Sequence, residues 1–156
     1  TRDEIQALLG EMSGVHHLAA SLLYGTGMRL MECMRLRIKD LDFERSEITV
    51  RLGKGGKDRR TLFPESLQPA LRVQMQDAKH LHENDLAHGF GEVWLPDALA
   101  RKYKNAAREW GWQYVFPAPA RSIDPRSGVE RQLNGWNSPL GCIRRIAGTH
   151  EAIGGH

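Results

Sequence analysis

The chain has 156 residues, 40% of them hydrophobic, which is enough for one domain with a buried core. No apolar run reaches the ~18 residues of a transmembrane helix, and the N-terminus has no apolar signal core. The sequence therefore predicts neither a transmembrane helix nor a signal peptide. The two cysteines, Cys33 and Cys142, lack the spacing of a metal site and favour free thiols in a cytosolic protein.

The net charge is only +3, but it is unevenly distributed along the chain. Residues 27–60 carry a net charge of +4 and residues 101–156 carry +5, whereas residues 61–100 between them carry −4. Two basic blocks suit a polyanionic partner that contacts part of the surface. On charge alone, ordinary solvated faces are an equally good interpretation.

The first 42 residues predict three helices and a turn. Thr1 and Glu4 form a capping-box pattern ahead of an amphipathic helix over about 2–12. The apolar stretch VHHLAASLLYGTG predicts a second helix, which its two glycines end. A third helix is predicted over MRLMECMRLR (28–37), and the acidic residues at 40–42 indicate a turn.

Two short strands follow. Residues 48–52 and 60–64 are rich in alternating apolar and β-branched side chains, which predicts an antiparallel pair. The glycine-rich, charged stretch GKGGKDRR (53–60) is then the tip of a hairpin. The predicted fold class is therefore mainly α with a small antiparallel β-sheet (α+β), as one hairpin or three strands.

The second half of the chain predicts two more helices and a long loop. Ser66 is predicted to cap a helix over about 67–83. A helix over 96–112 has Pro in its first turn and is followed by an aromatic cluster. From Pro117 onward, frequent prolines and weak periodicity predict loop rather than regular structure.

The loop GKGGKDRR does not match a nucleotide-binding motif. Neither Gly-Lys pair is followed by Ser or Thr, and the loop joins two strands rather than a strand and a helix. Long basic side chains beside glycines suit the phosphates of DNA, which Lys54, Lys57, Arg59 and Arg60 can reach. The alternative is a solvated turn with its charges in water.

A second signal lies in the segment GTGMRLME. Arg29 follows a Gly-Thr-Gly break and is predicted in the first turn of a helix, where backbone N–H groups favour an anion. Its planar guanidinium matches two phosphate oxygens. Glu32 lies three residues on, where it can orient the Arg29 guanidinium. An ordinary surface ion pair is the alternative.

Together, these two motifs resemble those of the tyrosine recombinase (phage integrase) superfamily, and within it the integron integrases. The first box of the family stands here as TGMRLME (26–32) and its hairpin lysine motif as GKGGKDR (53–59), in the family's order and at a family-like separation. The stretch around 80–117, HENDLAHGFGEVWLPDALARKYKNAAREWGWQYVFPA, resembles the extra segment of integron integrases. In that subgroup, the segment grips folded single-stranded recombination sites through their extrahelical bases.

The resemblance implies a partial tyrosine recombinase catalytic domain over 1–130, with the C-terminal part of that domain missing, and a divergent tail over 131–156. In the family, a tyrosine attacks a scissile phosphate and forms a 3′-phosphotyrosyl link, with no metal or other cofactor. Arg29 is then expected to stabilise the charge of the phosphorane, and Lys54 to protonate the leaving oxygen. Glu32 is expected to support Arg29.

The expected partner is DNA, as duplex and as folded single-stranded recombination sites, with self-association into a tetramer on DNA in the intact family. The resemblance also implies a location in the bacterial cytoplasm. Aromatic and cationic side chains of the extra segment suit unpaired bases. DNA-binding side chains are expected at Lys57, Arg59, Arg60, Arg101, Lys102 and Trp110.

The sequence also departs from the family. None of the seven histidines begins the family's His-x-x-Arg box. The tyrosines, Tyr24, Tyr103 and Tyr114, all precede the position where the nucleophile belongs. The chain is therefore predicted to bind DNA without cleaving it alone. The alternatives are a nucleic-acid-binding module without enzymatic activity and a non-functional remnant.

A zinc site is a further alternative, built from Cys33, His80, His82 and His88. The pattern does not favour it, because a His-x-His pair on a helix points in two directions and no second close pair exists. The sequence therefore predicts no metal site.

Overall fold

The chain is mainly α-helical with a small antiparallel sheet, in a computed structural model that describes residues 1–51 and 56–134. The predicted fold class is thus confirmed. The helices of these two ranges are α1 (Arg2–Gly10), α2 (Gly14–Thr26), α3 (Leu30–Met34), α4 (Gln68–Ala87) and α5 (Asp97–Lys102). The strands are β1 (Leu41–Asp42), β2 (Glu47–Val50), β3 (Arg59–Leu62), β4 (Ser122–Ile123) and β5 (Glu130–Arg131).

The ends of the first two helices follow from their sequences. The Thr1 hydroxyl accepts a hydrogen bond from the Glu4 N–H at 3.3 Å, and the Glu4 carboxylate accepts one from the Thr1 amino group. These two bonds confirm the predicted capping box. Helix α2 continues through Gly25 and ends at Gly27. Gly27 has a φ of 68°, and its N–H donates to the Leu23 carbonyl at 3.0 Å. Glycine closes the helix here without the strain of a Cβ atom.

The predicted hairpin is confirmed, and a third strand joins it. Strands β2 and β3 pair antiparallel, with Ile48 opposite Thr61. Strand β1 pairs with the other side of β2, with Leu41 opposite Ile48, where only a turn was predicted at 40–42. The residues at 52–55, which include the first three of the predicted tip, lie outside the described residues.

The main hydrophobic core lies between α2, α3, α4 and the three-stranded sheet. Cys33 is fully buried in it, and burial raises the pKa of its thiol to about 12, so the thiol stays protonated and unreactive. Cys142 lies outside the described residues. Other members of this core with little or no exposure are Leu22, Met34, Ile48, Phe63, Leu71, Val115 and Phe116.

Helix α3 is shorter than the predicted helix over 28–37. The chain leaves the helical conformation because Arg37 forms a β-bridge with Tyr114. The Leu36 carbonyl also accepts the Val115 N–H, at 2.9 Å. Pairing with a distant segment therefore overrides the local helical pattern.

The predicted helix over 96–112 is wrong beyond its first turns. Helix α5 ends at Lys102, and two short 3₁₀ turns follow before Gln113. The Gln113 side-chain amide donates to the carbonyls of Ala107 and Glu109, each at 3.1 Å. These bonds hold the Gln113 side chain against the two short turns that replace the predicted helix.

Helix α4 also differs from its prediction at both ends. A 3₁₀ turn at Glu65–Leu67 leads into the helix, so Ser66 is not its cap, and the helix extends to Ala87 rather than about 83. It is the longest described helix, at 20 residues. None of the described helices is both long and apolar enough to span a membrane.

The segment after Pro117 was predicted as loop but contains the two-stranded sheet β4–β5. The Ala118 N–H donates to the Leu133 carbonyl at 2.8 Å, and Leu133 is buried. Residues up to Asn134 therefore pack with the preceding chain, and Asn134 itself bridges to Pro117. The rest of the predicted tail, 135–156, lies outside the described residues.

Replacing Gly27 with alanine should lower the free energy of unfolding by about 1–2 kcal/mol, because alanine is strained in the left-handed conformation. A Cβ at Gly27 meets no atom within 4 Å, so backbone strain is the whole effect. Urea unfolding of Gly27→Ala measures it. The control is Gly10→Ala, since Gly10 ends α1 without a positive φ and should be neutral or slightly stabilising. Equal effects of the two substitutions would contradict this interpretation.

Candidate DNA-binding site

The segment TGMRLME (26–32), which we call the arginine box, lies at the junction of α2 and α3. Arg29 is exposed and occupies the N-cap of α3, just ahead of the first turn in which it was predicted to lie. One carboxylate oxygen of Glu32 accepts the backbone N–H of Arg29 at 2.8 Å. Glu32 therefore fixes the backbone of Arg29, which differs from the predicted contact with the Arg29 guanidinium.

The same Glu32 oxygen accepts a second hydrogen bond, from the Arg59 guanidinium of strand β3 at 2.9 Å. The Glu32 side chain is only 10% exposed. Desolvation alone would raise the pKa of its carboxyl, but the hydrogen bonds from the Arg29 N–H and from Arg59 outweigh it and hold the pKa below its usual value. A second link, from the Thr61 hydroxyl to the Thr26 carbonyl at 3.1 Å, joins β3 to the same box.

The other basic residues of the hairpin lie at or near its tip. Lys57 is exposed, and Arg60 is exposed beside Glu47 of the neighbouring strand, with 3.6 Å between their charged atoms. Lys54 lies outside the described residues. The structure thus separates the two arginines of β3, since Arg59 turns to the arginine box and Arg60 stays on the hairpin.

A cavity of about 360 Å³ lies beside the hairpin, where Arg51 and Asp58 line it near the tip. We call it the aromatic pocket. Its volume falls in the range of small-molecule sites, roughly 300–1,000 Å³. Its lining residues are Arg35, Arg37, Arg51, Asp58, Trp94, Pro96, Leu99, Trp112, Tyr114, Arg126 and Asn134.

Arg37 holds the aromatic wall of this pocket in place. Its guanidinium is buried and donates to the backbone carbonyls of Trp112 at 2.6 Å and Trp94 at 2.8 Å. Its central carbon also lies 4.7 Å from the centre of the Tyr114 ring. Burial lowers the pKa of this guanidinium, and interactions with Tyr114 and Asp40 act in the opposite direction.

Cations also lie against both tryptophans of the pocket. The Lys39 ammonium is 3.6 Å from the centre of the Trp112 ring, and the Arg126 guanidinium is 4.3 Å from that of Trp94. Such cation–π contacts orient the rings at a basic surface. A pocket with aromatic faces and a rim of arginines can stack a flat base and attract its phosphate.

Two of the pocket arginines are held by buried aspartates. Arg51 donates to Asp40 at 2.5 Å and Arg126 donates to Asp124 at 3.0 Å, and both carboxylates are almost fully buried. Hydrogen bonds and charge from Arg126 outweigh desolvation and lower the pKa of Asp124. These pairs fix where the guanidinium groups lie and offset part of the positive charge.

The residues predicted for the extra segment fall in different surroundings. Arg101 and Lys102 are exposed near the end of α5. Trp110 is half-buried, packs against the main core and lies 6.0 Å from the His82 ring. Trp112, two residues further on, is the one that lines the pocket.

Sequence reasoning missed the pocket residues Arg35, Arg37 and Arg126. Their only sequence signal was the excess of arginine in the two basic blocks.

Among the described residues, no three His, Cys, Asp or Glu side chains are placed to hold a metal ion.

The phage integrase family model matches residues 1–126 of the chain. The match covers the arginine box, the hairpin and the aromatic wall of the pocket. The chain therefore belongs to the phage integrase family, the tyrosine recombinases.

Similar proteins agree with this assignment. Over 132 residues the chain is 52% identical to proteins described as integrase/recombinase from Escherichia coli and from Pseudomonas aeruginosa, which is 85% of this chain and 39% of each relative. Over 68 residues it is 52% identical to the tyrosine recombinase XerA of Pyrococcus furiosus, which is 41% of this chain and 24% of that protein. The chain thus spans about two fifths of the length of the first two relatives.

A crystal structure of XerA recombinase is also similar, with a TM-score of 0.43 and 33% sequence identity. The similar region is 49% of this chain and 28% of that chain.

Replacing Arg59 with alanine should raise the pKa of Glu32 and lower the free energy of unfolding by up to about 1 kcal/mol, because the pair is partly exposed. The Glu32 pKa lies below its ordinary value of 4.5 in the folded chain, so the unfolded chain binds this proton more readily. The stabilisation is therefore present above pH 4.5 and is lost as the pH falls below it. Urea unfolding from pH 3 to pH 7 measures the difference.

The matched control is Arg60→Ala, which removes the same charge from the next residue of the strand. Arg60 is 67% exposed, and its partner Glu47 is 37% exposed, so this loss should be small at every pH. A pH-independent effect of Arg59→Ala, or an equal effect of Arg60→Ala, would exclude the Glu32 contact as its cause.

Proposed function

We propose that this chain is a DNA-binding part of the catalytic domain of an integron-type tyrosine recombinase, which acts on the recombination sites of gene cassettes. Its substrate is DNA, both as duplex and as a folded single strand with unpaired bases. The activity of the whole recombinase depends on further chain, and this part alone does not cleave DNA.

The observation that carries the proposal is the aromatic pocket. The extra segment predicted around 80–117 supplies Trp94 and Trp112 to it. The hairpin with the lysine motif supplies Arg51, which directly follows strand β2. A base that leaves the stack needs an apolar or aromatic slot, and its backbone needs cations close by. Both are present in this one pocket, beside the hairpin expected to follow the DNA backbone.

In the proposed reaction, Arg29 stabilises the negative charge that grows on the attacked phosphate, and Lys54 protonates the leaving 5′ oxygen. Glu32 supports Arg29 by fixing its backbone. Of the tyrosines, Tyr114 is buried with its ring against Arg37, and Tyr24 and Tyr103 precede the family position of the nucleophile. We therefore expect no phosphotyrosyl adduct from this chain with a nicked recombination-site substrate.

Assembly and location follow from the same proposal. On DNA, several copies of the intact recombinase associate, with four as the family arrangement. A recombinase of bacterial gene cassettes works where the DNA is, in the cytoplasm. A non-enzymatic nucleic-acid-binding module remains the second candidate, because the proposed binding surface does not require the nucleophile.

The proposal predicts tighter binding to a DNA hairpin with unpaired bases than to the matching duplex. Trp112→Ala should weaken binding to that hairpin by about fivefold to a hundredfold, because stacking contributes roughly 1–3 kcal/mol per base. Binding to the plain duplex should change little. Fluorescence anisotropy with both DNAs at two salt concentrations measures this.

Two aromatic residues serve as controls. Tyr103→Ala removes an aromatic side chain that is 48% exposed in the same segment but does not line the pocket, and it should keep the preference for the hairpin. Trp110→Ala should lower stability rather than alter the preference. Equal binding of the two DNAs by the unmodified chain would refute the integron-type assignment while leaving family membership intact.

A second prediction concerns the phosphate contacts. Arg29→Ala and Lys54→Ala should each weaken binding to every DNA tested and reduce the slope of log K against log salt by about 1. The control Arg45→Ala removes a charge that lies 3.9 Å from Asp42 and is 70% exposed, outside both motifs. A slope that falls equally with Arg45→Ala would mean that net charge alone, rather than the two motifs, holds the DNA.

A further inference from the structure

A second, much smaller cavity lies between helix α4 and the segment that ends the described chain. Its volume is about 10 Å³, which is close to the least space that one water molecule needs. Three side chains that line it, His82, Asp85 and Gln132, are 7%, 2% and 6% exposed. Each has one buried polar atom without a hydrogen-bond partner: His82 Nδ1, Asp85 Oδ2 and Gln132 Oε1.

The remaining contacts of these side chains fix the character of the three atoms. The Gln132 Nε2 donates to the Ala118 carbonyl, and its Oε1 remains as an acceptor without a partner on a residue that lines the cavity. One Asp85 oxygen accepts from Arg121 at 2.5 Å, which leaves Oδ2 as a second acceptor.

His82 supplies the third acceptor. Its buried Nδ1 has no hydrogen-bond partner among the described residues. In the neutral ring that carries its hydrogen on Nε2, Nδ1 is a hydrogen-bond acceptor. Burial lowers the pKa of His82, which favours this neutral form.

Three inward acceptors of hydrogen bonds select a small donor. An anion or an apolar group offers them nothing. A cation is disfavoured, because the Arg121 guanidinium already compensates the charge of Asp85. Water carries two hydrogens and fits the volume of the cavity.

We propose that this cavity is a structural hydration site for one ordered water molecule. The water donates one hydrogen to Asp85 Oδ2, the charged acceptor, and the other to His82 Nδ1 or Gln132 Oε1. It thereby fastens helix α4 to the segment that continues into Asn134. The side chain of Tyr114 lines both this cavity and the aromatic pocket, so the water also supports a wall of that pocket.

Nuclear magnetic resonance of the full chain tests the proposal through a rotating-frame Overhauser contact between a long-lived water and the His82 ring hydrogen Hε1. We expect this contact in the unmodified chain. We expect its loss in Ala78→Val, because Ala78 lines the cavity, is 5% exposed, and the added methyl groups take the place of the water. No contact in the unmodified chain, or one that persists in Ala78→Val, would overturn the proposal.

Thermal unfolding of the same variants gives an independent answer. Expelling the water removes its hydrogen bonds to two of the acceptors, so Ala78→Val should melt about 2–4 °C below Ala70→Val, its control at an exposed position of the same helix. Comparison with Ala70→Val accounts for the destabilisation that a β-branched residue causes in any helix. If the cavity is dry, the larger side chain fills a void and Ala78→Val melts at or above the control, which would overturn the proposal. A crystal structure with a metal ion in the cavity, or with His82 bonded directly to Asp85, would overturn it as well.

Discussion

A single buried guanidinium joins the two halves of the described chain. Arg37 donates to the carbonyls of Trp94 and Trp112, which lie 57 and 75 residues further along the sequence. Burying this charge is costly, and the two carbonyls, the aromatic rings and the nearby Asp40 together compensate for it. The end of helix α3, the bridge to Tyr114 and the aromatic pocket all lie around this one residue.

Sequence reasoning succeeded where the deciding interactions are local. The capping box at Thr1, the stop at Gly27 and the hairpin between β2 and β3 each arise within a few residues. The spacing of Arg29 and Glu32 was also read correctly as one structural unit, although the carboxylate contacts the Arg29 backbone rather than its guanidinium. Short motifs therefore located the candidate site.

The pocket was beyond sequence reasoning, because no periodicity connects its walls. Trp110 and Trp112 show why. They stand two residues apart in one 3₁₀ turn, yet one packs on the core and the other lines the pocket. A continuous helix, which the sequence favoured, gives no basis for choosing between them. The chain bends at this point where the Gln113 side chain bonds the nearby Ala107 carbonyl and the distant Arg37 bonds the Trp112 carbonyl.

The shared oxygen of Glu32 has a consequence for the design of chimeric recombinases. That atom accepts hydrogen bonds from the Arg29 backbone and from Arg59 of the hairpin, and Thr61 adds a second tie to the box at Thr26. The box and the lysine hairpin therefore form one exchangeable module. If the hairpin were exchanged for that of another recombinase while Glu32 stayed in place, Glu32 would lose its partner Arg59. The exchange would then disturb the position of Arg29 as well as the contacts of the hairpin itself.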